Sequence, residues 1–483
     1  MPDKIKFLLD NQIVEIDFKN SGTLRPTTTL LHYLRSLPGH KGVKEGCGEG
    51  DCGACTVVLG EPGNRGKVNY KAVDSCLVFL PMIHGKMVVT VENLAETIGT
   101  ETRLHPVQEA MVNTNGSQCG YCTPGIVMSM FALYKNFSKP TKDMVLDGLT
   151  GNLCRCTGYK PIIEAAQIAC KSGGKDKFSA EEKNIAATLK KIGRSKKTMA
   201  LLHPEQKYYK AFTLKDALQV LLDHPNIIII NGATDIALRV TKKHELIPEI
   251  LDISSVEELQ MLNDTGDALE FGAGIKLEEL KSIAAIDFPA LTNILTVFGS
   301  KQIRSLATAG GNLGSASPIG DTLPVLMAYD ASVVLESLRG ARTAKLREFV
   351  TAYRTTVKQP DELITRVIIP KVKDNSIIRS YKVSKRKDLD ISTVSGCFRL
   401  LLNNDNTVKE IVLAYGGMAA MTMRAVKTEQ FLLGKSWVQP TVEEAMEILY
   451  TEFTPISDAR SGEEFRRLAS RNLLLRFFLE ITN

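Results

Sequence analysis

The sequence has no long apolar run, little aromatic content and only a mild excess of positive charge. None of its apolar stretches reaches the roughly 20 residues that cross a bilayer. Residues 1–7 lack the apolar core of a secretory signal and a twin-arginine pair. The net charge is +6 over 483 residues, which does not favour nucleic acid binding. We therefore expect a cytoplasmic protein with no membrane and no nucleic acid partner.

Ten cysteines are distributed very unevenly. Cytosolic thiols are kept reduced, so this number indicates metal binding or catalysis rather than disulfides. Eight of the ten lie between Cys47 and Cys156, whereas Cys170 and Cys397 are typical of small buried apolar residues. The first third of the chain is therefore the candidate metal region.

The pattern of short apolar runs predicts a multidomain α+β fold. Two β-rich runs flank Asp10-Asn11, which is a hairpin signal, and Thr27–Leu37 has helical spacing. We also expect strands near Leu77–Leu80 and Met87–Val91. Together these elements predict a small ferredoxin-like β-grasp domain. Helical periodicity follows, which predicts a four-helix unit. Its expected helices are Pro106–Asn113, Gly125–Tyr134, Lys142–Leu149 and Pro161–Cys170.

A polar, basic segment and then a mixed α/β pattern follow the helical unit. We interpret Lys171–Thr198 as an interdomain linker, partly helical at Ala180–Lys191. Strands are expected at Ile227–Ile230, Ile250–Asp252, Leu269–Ala273, Gly396–Leu402 and Ile411–Gly416, with helices at Thr441–Thr451 and Glu463–Leu479.

The first cysteine set has the spacing C-x4-C-x2-C, with a fourth cysteine 21 residues later. This is the plant-type ferredoxin spacing, in which two bridged irons take four thiolates from a looping backbone. The glycines between these cysteines allow amide N–H groups to approach the sulfurs. A structural zinc site usually pairs two C-x2-C units and fits this spacing poorly. The predicted ligands are Cys47, Cys52, Cys55 and Cys76.

The second cysteine set combines a C-x2-C and a C-x-C pair, in Cys119, Cys122, Cys154 and Cys156. Its surroundings are helical, which argues against a thioredoxin-type motif in a βαβ unit. Thr123-Pro124 is a typical helix start. Spacing alone leaves both an iron–sulfur cluster and a zinc site open.

Two glycine-containing segments are candidates for binding an anionic cofactor. The apolar run Ile227–Ile230 ends at Asn231-Gly232-Ala233-Thr234-Asp235, and free amides at such a turn favour phosphate. It lacks the G-x-G-x-x-G pattern, so a Rossmann domain is not supported. A second cluster lies at Ala309–Gly314. Alone, the first segment is more typical of an ordinary strand–turn–helix, and the second could also be a tight turn.

Together, the cysteine loop Cys47–Cys55, the block Gln118–Gly125 and the block Gly151–Tyr159 resemble the two-cluster module of the molybdenum hydroxylases. That family includes xanthine dehydrogenase, aldehyde oxidase and carbon monoxide dehydrogenase. The resemblance implies two [2Fe–2S] clusters, the helical one nearer the molybdenum cofactor, with Gln118 facing the pterin across a subunit interface. It also implies an α/β FAD-binding domain and a C-terminal α+β flavoprotein domain. The expected boundaries are 1–91 (ferredoxin-like), 92–172 (helical), 173–198 (linker), 199–374 (FAD-binding) and 375–483 (C-terminal).

The same resemblance implies a set of FAD contacts. The first glycine segment would hold the pyrophosphate, the second would complete the flavin pocket, and Phe298 would stack on the flavin nucleotide. The loop after Lys382 departs from the animal xanthine dehydrogenases, because Leu389 stands where one of two adjacent acids would be. The implied contacts are Ile229, Ile230, Asn231, Gly232, Ala233, Thr234, Asp235, Phe298, Thr308, Gly311, Asn312, Asp321, Ile364 and Lys382.

We expect this chain to be the small subunit of a xanthine dehydrogenase-like enzyme, since it ends at Asn483 with no segment for a molybdopterin region. The resemblance implies a heterotetramer of two small and two molybdopterin-binding large chains. Electrons would pass from the partner's molybdenum through both clusters to FAD and then NAD, and no catalytic acid or base is needed here. Alternatives are a subunit of another molybdenum hydroxylase that oxidises aldehydes or N-heterocycles, a stand-alone NADH-oxidising reductase and a zinc-bound scaffold.

Overall fold

The computed structural model describes residues 3–171, 175–372 and 375–482. The chain forms two compact units. The first unit comprises Met1–Val256 together with Ser300–Ala307, and the second comprises Glu257–Gly299 together with Thr308–Asn483.

The first unit begins with a five-stranded sheet in the order β2-β1-β5-β3-β4, in which β1 and β5 are parallel. Asp10 and Asn11 both have positive φ, as the turn of the β1–β2 hairpin requires. Thr29 caps the helix α1 by accepting a hydrogen bond from the His32 N–H. The elements are β1 (Lys4–Leu9), β2 (Gln12–Asp17), α1 (Leu30–Ser36), β3 (Thr56–Pro62), β4 (Val68–Asp74) and β5 (Met87–Val89).

The strand expected at Leu77–Leu80 is wrong. The structure places two short 3₁₀ turns there, Ser75–Leu77 and Leu80–Ile83, and the strand comes earlier, at β4. These residues are fully buried on all sides, so their continuous apolar run carries no alternation that would separate a strand from a buried turn.

Four helices pack against this sheet and share one apolar core with it. The residues Gly125–Tyr134 of α3 are buried throughout, and Phe131 packs edge to face against Tyr70 of β4. A small hairpin precedes the helices. The elements are β6 (Glu96–Ile98), β7 (Glu101–Arg103), α2 (Pro106–Asn113), α3 (Thr123–Asn136), α4 (Lys142–Leu149) and α5 (Lys160–Lys171).

The segment predicted as a linker contains two helices, α6 (Lys177–Ala180) and α7 (Glu182–Ile192), in its described part. Residues 172–174 lie outside the described residues. Phe178 and Leu189 are buried in the core shared by the sheet and α2–α5. Asp176 is also buried and pairs with His105 and Lys135. This segment therefore packs as part of the first unit.

The remainder of the first unit is a four-stranded sheet in the order β10-β11-β9-β8, parallel except for the edge strand β8. The carboxyl end of β10 leads into Asn231–Asp235. The segment Ser300–Ala307 adds one helical turn, Lys301–Arg304. The other elements are β8 (Met199–His203), β9 (Gln206–Lys210), α8 (Leu214–Asp223), β10 (Ile228–Ile230), α9 (Ala237–Thr241) and β11 (Glu249–Asp252).

The second unit contains two antiparallel sheets of five and four strands, in the orders β12-β13-β18-β14-β15 and β19-β20-β21-β22. The core of the four-stranded sheet is built around Phe398, Trp437 and Phe477. The strands are β12 (Leu262–Asp264), β13 (Ala268–Gly272), β14 (Ser332–Ser337), β15 (Gly340–Lys345), β16 (Val350–Ala352), β17 (Thr355–Thr356), β18 (Leu363–Pro370), β19 (Ile377–Val383), β20 (Val394–Leu402), β21 (Val408–Gly416) and β22 (Met423–Arg424). The helices are Leu277–Ile283, Pro289–Thr296, Ala309–Ser315, Thr322–Ala328, Leu346–Phe349, Val426–Leu432, Gln439–Glu452 and Glu463–Thr482. Across the described ranges, no helix combines the length and apolarity that crossing a membrane requires.

Candidate cofactor sites

The first cysteine set forms two pairs of thiols. The Sγ atoms of Cys55 and Cys76 are 3.4 Å apart, and the side chains of Cys47 and Cys52 interact with each other. The backbone N–H groups of Glu49 and Asp51 donate to Cys47 Sγ at 3.4 and 3.3 Å. The loop therefore presents amide hydrogens to sulfur, as the glycine spacing predicts.

These donors favour a thiolate at Cys47. The hydrogen bond from Cys52 and the two amide N–H groups lower the pKa of Cys47 to about 5. Cys55 is buried beside Cys76 and Asp74, and the Cys76 hydrogen bond and burial together raise its pKa. Burial also raises the pKa of Asp74, whose carboxyl oxygen lies 3.8 Å from Cys55 Sγ.

The second cysteine set also forms two pairs. Cys119 and Cys156 have Sγ atoms 3.6 Å apart, and the side chains of Cys122 and Cys154 interact. Burial alone would raise the pKa of Cys154, but the Thr157 hydroxyl, 3.2 Å away, and nearby backbone N–H groups lower it overall. The loops before α3 and α5 thus bring together cysteines that lie more than 30 residues apart in the chain.

Pairing is the arrangement that a binuclear cluster needs. In the described ranges, no three or more His, Cys, Asp or Glu side chains are arranged to hold a single metal ion. A [2Fe–2S] cluster does not require such convergence, because each of its two irons takes two thiolates. Two pairs in each loop system therefore fit two such clusters better than a mononuclear zinc site.

The two sets differ in exposure. Cys55 and Cys76 are buried, at 2% and 1% exposure, whereas Cys119 and Cys156 are exposed. Gln118, next to Cys119, is exposed as well. The second set therefore has one exposed pair, Cys119 and Cys156, while Cys154 is buried; the first set has one buried pair, while Cys47 and Cys52 are half-buried.

The flavin residues predicted from Ile229 to Asp235 lie at the end of β10 in the first unit. Ala233 has a positive φ of 58°, and its carbonyl accepts the Ala237 N–H that opens α9. A Cβ at Gly232 would meet the Leu306 carbonyl oxygen at 1.9 Å, so only glycine fits there. The structure thus forms the strand–turn–helix that the sequence predicts, with a short helix of five residues.

The remaining predicted flavin residues lie in the second unit, and several are in contact. The Lys382 ammonium pairs with Asp321 at 3.0 Å, both side chains being buried, and donates to the Val297 carbonyl next to Phe298. Thr308 caps the helix Ala309–Ser315 by accepting from the Gly311 N–H. A Cβ at Gly314 would lie 3.4 Å from Ile364 Cδ1, so Ile364 lies beside that helix.

Two further contacts complete this second group. Asn312 accepts a hydrogen bond from the Thr322 hydroxyl. Leu389, at the position where the sequence departs from the animal enzymes, is buried with a φ of 72°, and its N–H donates to the Gly299 carbonyl. Leu389 is therefore held against the backbone next to Phe298.

Sequence reasoning missed three residues that support the cysteine loops. Asn152 and Gln302 form a buried network between the two loops. Lys242, just after α9, donates to the Cys47 carbonyl at 3.1 Å and pairs with Glu49 at 3.4 Å. Only Asn152 carried a signal, because it belongs to the Gly151–Tyr159 block.

Four family models match this chain, and between them they span most of it. In chain order they describe a 2Fe-2S iron–sulfur cluster binding domain at 21–78 and a [2Fe-2S] binding domain at 90–167. The FAD binding domain in molybdopterin dehydrogenase follows at 203–372, and the CO dehydrogenase flavoprotein C-terminal domain at 379–481. The chain therefore carries two [2Fe–2S] binding domains and one FAD-binding domain.

Similar curated proteins are xanthine dehydrogenases. Xanthine dehydrogenase of Emericella nidulans is 33% identical over 99% of this chain and 39% of its own length. Xanthine dehydrogenase/oxidase of Rattus norvegicus is 33% identical over 94% of this chain and 38% of its own length. The chain thus spans well under half of the curated relatives that it matches.

Solved structures share the fold at lower identity. Carbon monoxide dehydrogenase from Hydrogenophaga pseudoflava aligns with a TM-score of 0.54 and 20% identity, over 57% of this chain and 96% of that one. Quinoline 2-oxidoreductase from Pseudomonas putida 86 aligns with a TM-score of 0.52 and 22% identity, over 57% and 96%. The expected multidomain α+β fold is confirmed.

Proposed function

Since the chain belongs to the molybdenum hydroxylase family, we propose that it is the electron-transfer part of a xanthine dehydrogenase-like enzyme. Its two sets of four cysteines would hold the two [2Fe–2S] clusters, and its FAD-binding domain would hold FAD. The clusters supply one-electron carriers, and the flavin converts between one- and two-electron chemistry.

The observation that carries this proposal is the pairing of thiols in both cysteine sets, combined with their contrast in exposure. Electrons entering from another polypeptide need a carrier near the protein surface, which the exposed Cys119 and Cys156 provide. Electrons leaving toward the flavin need a carrier inside the first unit, which Cys55 and Cys76 provide. The order of relay is therefore helical cluster, ferredoxin-like cluster, FAD.

The residues of this chain bind and orient carriers and take no acid or base role in hydroxylation. Amide N–H groups and the Thr157 hydroxyl stabilise thiolates. Hydroxylation belongs to a molybdopterin-binding partner, in a heterotetramer of two small and two large chains. The exposed Gln118, beside Cys119, would face that partner's cofactor.

The proposed terminal acceptor is NAD. Charge near a flavin tunes its electron acceptor, and Leu389 removes one negative charge that the animal enzymes carry at this loop. Oxygen or another carrier is the alternative acceptor. Stopped-flow mixing of the reduced protein with NAD and with oxygen distinguishes them, because the faster reoxidation identifies the acceptor.

The test is purification of the tagged chain from its native host. We expect about four irons and one FAD per chain, and a molybdenum-containing polypeptide that co-purifies. Xanthine, hypoxanthine, aldehydes and N-heterocycles are then tried as reductants of the flavin. If the chain carries iron and FAD, oxidises NADH and co-purifies with no molybdenum, the alternative of a stand-alone NADH-oxidising reductase is supported. Stoichiometric zinc in place of iron would support the alternative of a zinc-bound scaffold.

A further inference from the structure

The two cysteine loops are joined by one backbone hydrogen bond. The N–H of Leu153, which precedes Cys154, donates to the carbonyl of Cys52 at 3.1 Å. The loops approach so closely because residue 53 is a glycine with positive φ. A Cβ there would meet the Gly151 carbonyl oxygen at 2.2 Å. Cys52, a predicted ligand of the first set, thus contacts Leu153, the residue before Cys154 of the second set.

The carboxamide of Asn152 holds both sides of this contact. It is buried, and its Nδ2 donates to the Gly53 carbonyl at 3.0 Å and to Thr56 Oγ1 at 3.1 Å. Its Oδ1 accepts from Ser129 Oγ at 2.5 Å and from Gln302 Nε2 at 3.1 Å. The amide can make these bonds in only one of its two orientations, because nitrogen and oxygen have opposite roles.

Gln302 supplies one of the two donors to Asn152 Oδ1 that favour this orientation, and Ser129 supplies the other. Gln302 is completely buried and comes from the segment Ser300–Ala307, which lies in the chain between the predicted flavin residues Phe298 and Thr308. Its Nε2 also donates to Ser129 Oγ at 2.8 Å and to the Gly148 carbonyl at 3.1 Å.

The other end of the Gln302 amide makes this residue unusual. Its Oε1 is buried and has no hydrogen-bond partner in the part of the chain that the structure describes. A buried acceptor without a partner destabilises a fold, whereas an apolar side chain of the same shape would not. The nitrogen of Gln302 therefore has a role that an apolar residue cannot fill.

We propose that Gln302 is a positioning residue for electron transfer between the two clusters. Together with Ser129 it fixes the orientation of Asn152, and Asn152 holds the Leu153 N–H on the Cys52 carbonyl. With clusters bound by both cysteine sets, this contact would be a route for one electron between them, with no bond or proton changed. Electronic coupling falls steeply when a through-bond path opens into a gap, so a residue of the segment Ser300–Ala307 would set the rate between the clusters. This inference rests on the proposed function.

The experiment compares Gln302→Leu with Lys301→Met in the full chain. Lys301 lies on the same helical turn, and its ion pair with Asp147, at 3.8 Å, is partly exposed. Iron content, FAD content and thermal unfolding are measured first. Hydrogen exchange of peptides covering 147–156 and the magnetic coupling between the two clusters, seen by electron paramagnetic resonance after dithionite reduction, are the positional readouts.

We expect Gln302→Leu to keep its iron and FAD, to exchange the Leu153 amide at least several-fold faster and to weaken the magnetic coupling. Asn152→Asp, which removes the donor to Gly53, should reproduce both changes. If Gln302→Leu does not fold, Ser129→Ala is used instead. It removes the hydroxyl that donates to Asn152 and accepts from Gln302, and it should give smaller changes of the same kind. Exchange and coupling equal to those of Lys301→Met, with iron retained, would overturn the inference. A wild-type chain lacking one cluster would instead contradict the proposed function.

Discussion

The two cysteine sets hold equivalent thiol pairs in opposite surroundings. The first set lies on loops of a sheet, and Cys55 and Cys76 are closed off from solvent. The second lies on loops between helices, and Cys119 and Cys156 face outward. Burial protects a carrier that only has to exchange electrons inside the chain, whereas exposure is needed where a partner must approach. The difference in exposure between these pairs, rather than in ligand chemistry, is the basis on which we propose a place for each set in the relay.

Removal of one ligand from the second cysteine set is the strongest test of this comparison. We expect Cys154→Ser to lower the iron content from about four to about two per chain. It should also abolish flavin reduction by the hydroxylation substrate, because the carrier next to the partner is lost. NADH-driven reduction of an artificial acceptor should survive. Iron analysis and the two activities measure these effects.

Cys170→Ala is the matched control, because Cys170 is a buried cysteine outside both sets. It should keep all of its iron. Substrate-driven turnover that persists in Cys154→Ser, with the helical cluster absent, would reverse the proposed order.

The helical unit that carries the second cysteine set depends on buried charges. Asp176 pairs with Lys135 at 2.8 Å and with His105 at 3.1 Å, all three side chains being almost fully buried. Removing one partner of a buried ion pair typically costs about 3–5 kcal/mol. Asp176→Ala should therefore lower the free energy of unfolding by about that amount, measured by urea denaturation. Glu181→Ala, an exposed acid in the same segment, should change stability by less than about 0.5 kcal/mol.

The same contact predicts a pH dependence. Burial alone would raise the pKa of Asp176, but hydrogen bonds from His105, Lys135 and Ser179 bring it below its usual 3.8. A carboxyl with a depressed pKa in the folded state stabilises the protein above its unfolded-state pKa. The stability difference between wild type and Asp176→Ala should thus be complete at neutral pH and shrink as pH falls below about 4. A difference that grows on acidification would contradict this assignment.

The flavin region extends the comparison to a third carrier. Asp235→Ala removes a carboxylate from the proposed pyrophosphate loop, and loss of a charged hydrogen-bonding group is worth about 1.5–3 kcal/mol. We expect FAD affinity to fall about 10- to 100-fold by fluorescence titration, with iron content unchanged. Asp223→Ala, at the end of α8, is the control and should bind FAD normally. Loss of iron in Asp235→Ala would show that the carriers do not assemble independently.

The smallest expected effect concerns the electrostatics around the first cysteine set. Lys242 lies against the Cys47 loop, and a cation stabilises the added negative charge of a reduced cluster. Exposed ion pairs contribute about 0.2–1 kcal/mol, or roughly 10–40 mV for one electron. Lys242→Gln should lower the potential of the ferredoxin-like cluster by this amount and leave the helical cluster unchanged. Lys243→Gln, its neighbour, is the control in the same redox titration.

Local signals in the sequence predicted the helical unit well. Pro106–Asn113 and Lys142–Leu149 have the predicted bounds, because proline or a threonine cap marks each start. The buried turns at Leu77–Leu80 were not predictable, since full burial removes the alternation that identifies strands. The cysteines were visible through spacing, but Gln302 was not. It reaches Asn152 across 150 residues, and nothing in its local sequence distinguishes it.

The segment Ser300–Ala307 has a consequence for synthesis. The polypeptide passes from the first unit to the second after Val256, returns for these eight residues and leaves again. The hydrogen bonds of Gln302 to the helical unit therefore cannot form while the ribosome is still making residues 172–299. At about 5–20 residues per second, that interval lasts on the order of ten seconds. During it, both cysteine sets have emerged but their loops lack this support, so the contact between Leu153 and Cys52 is expected to become fixed only after Ala307 has left the exit tunnel.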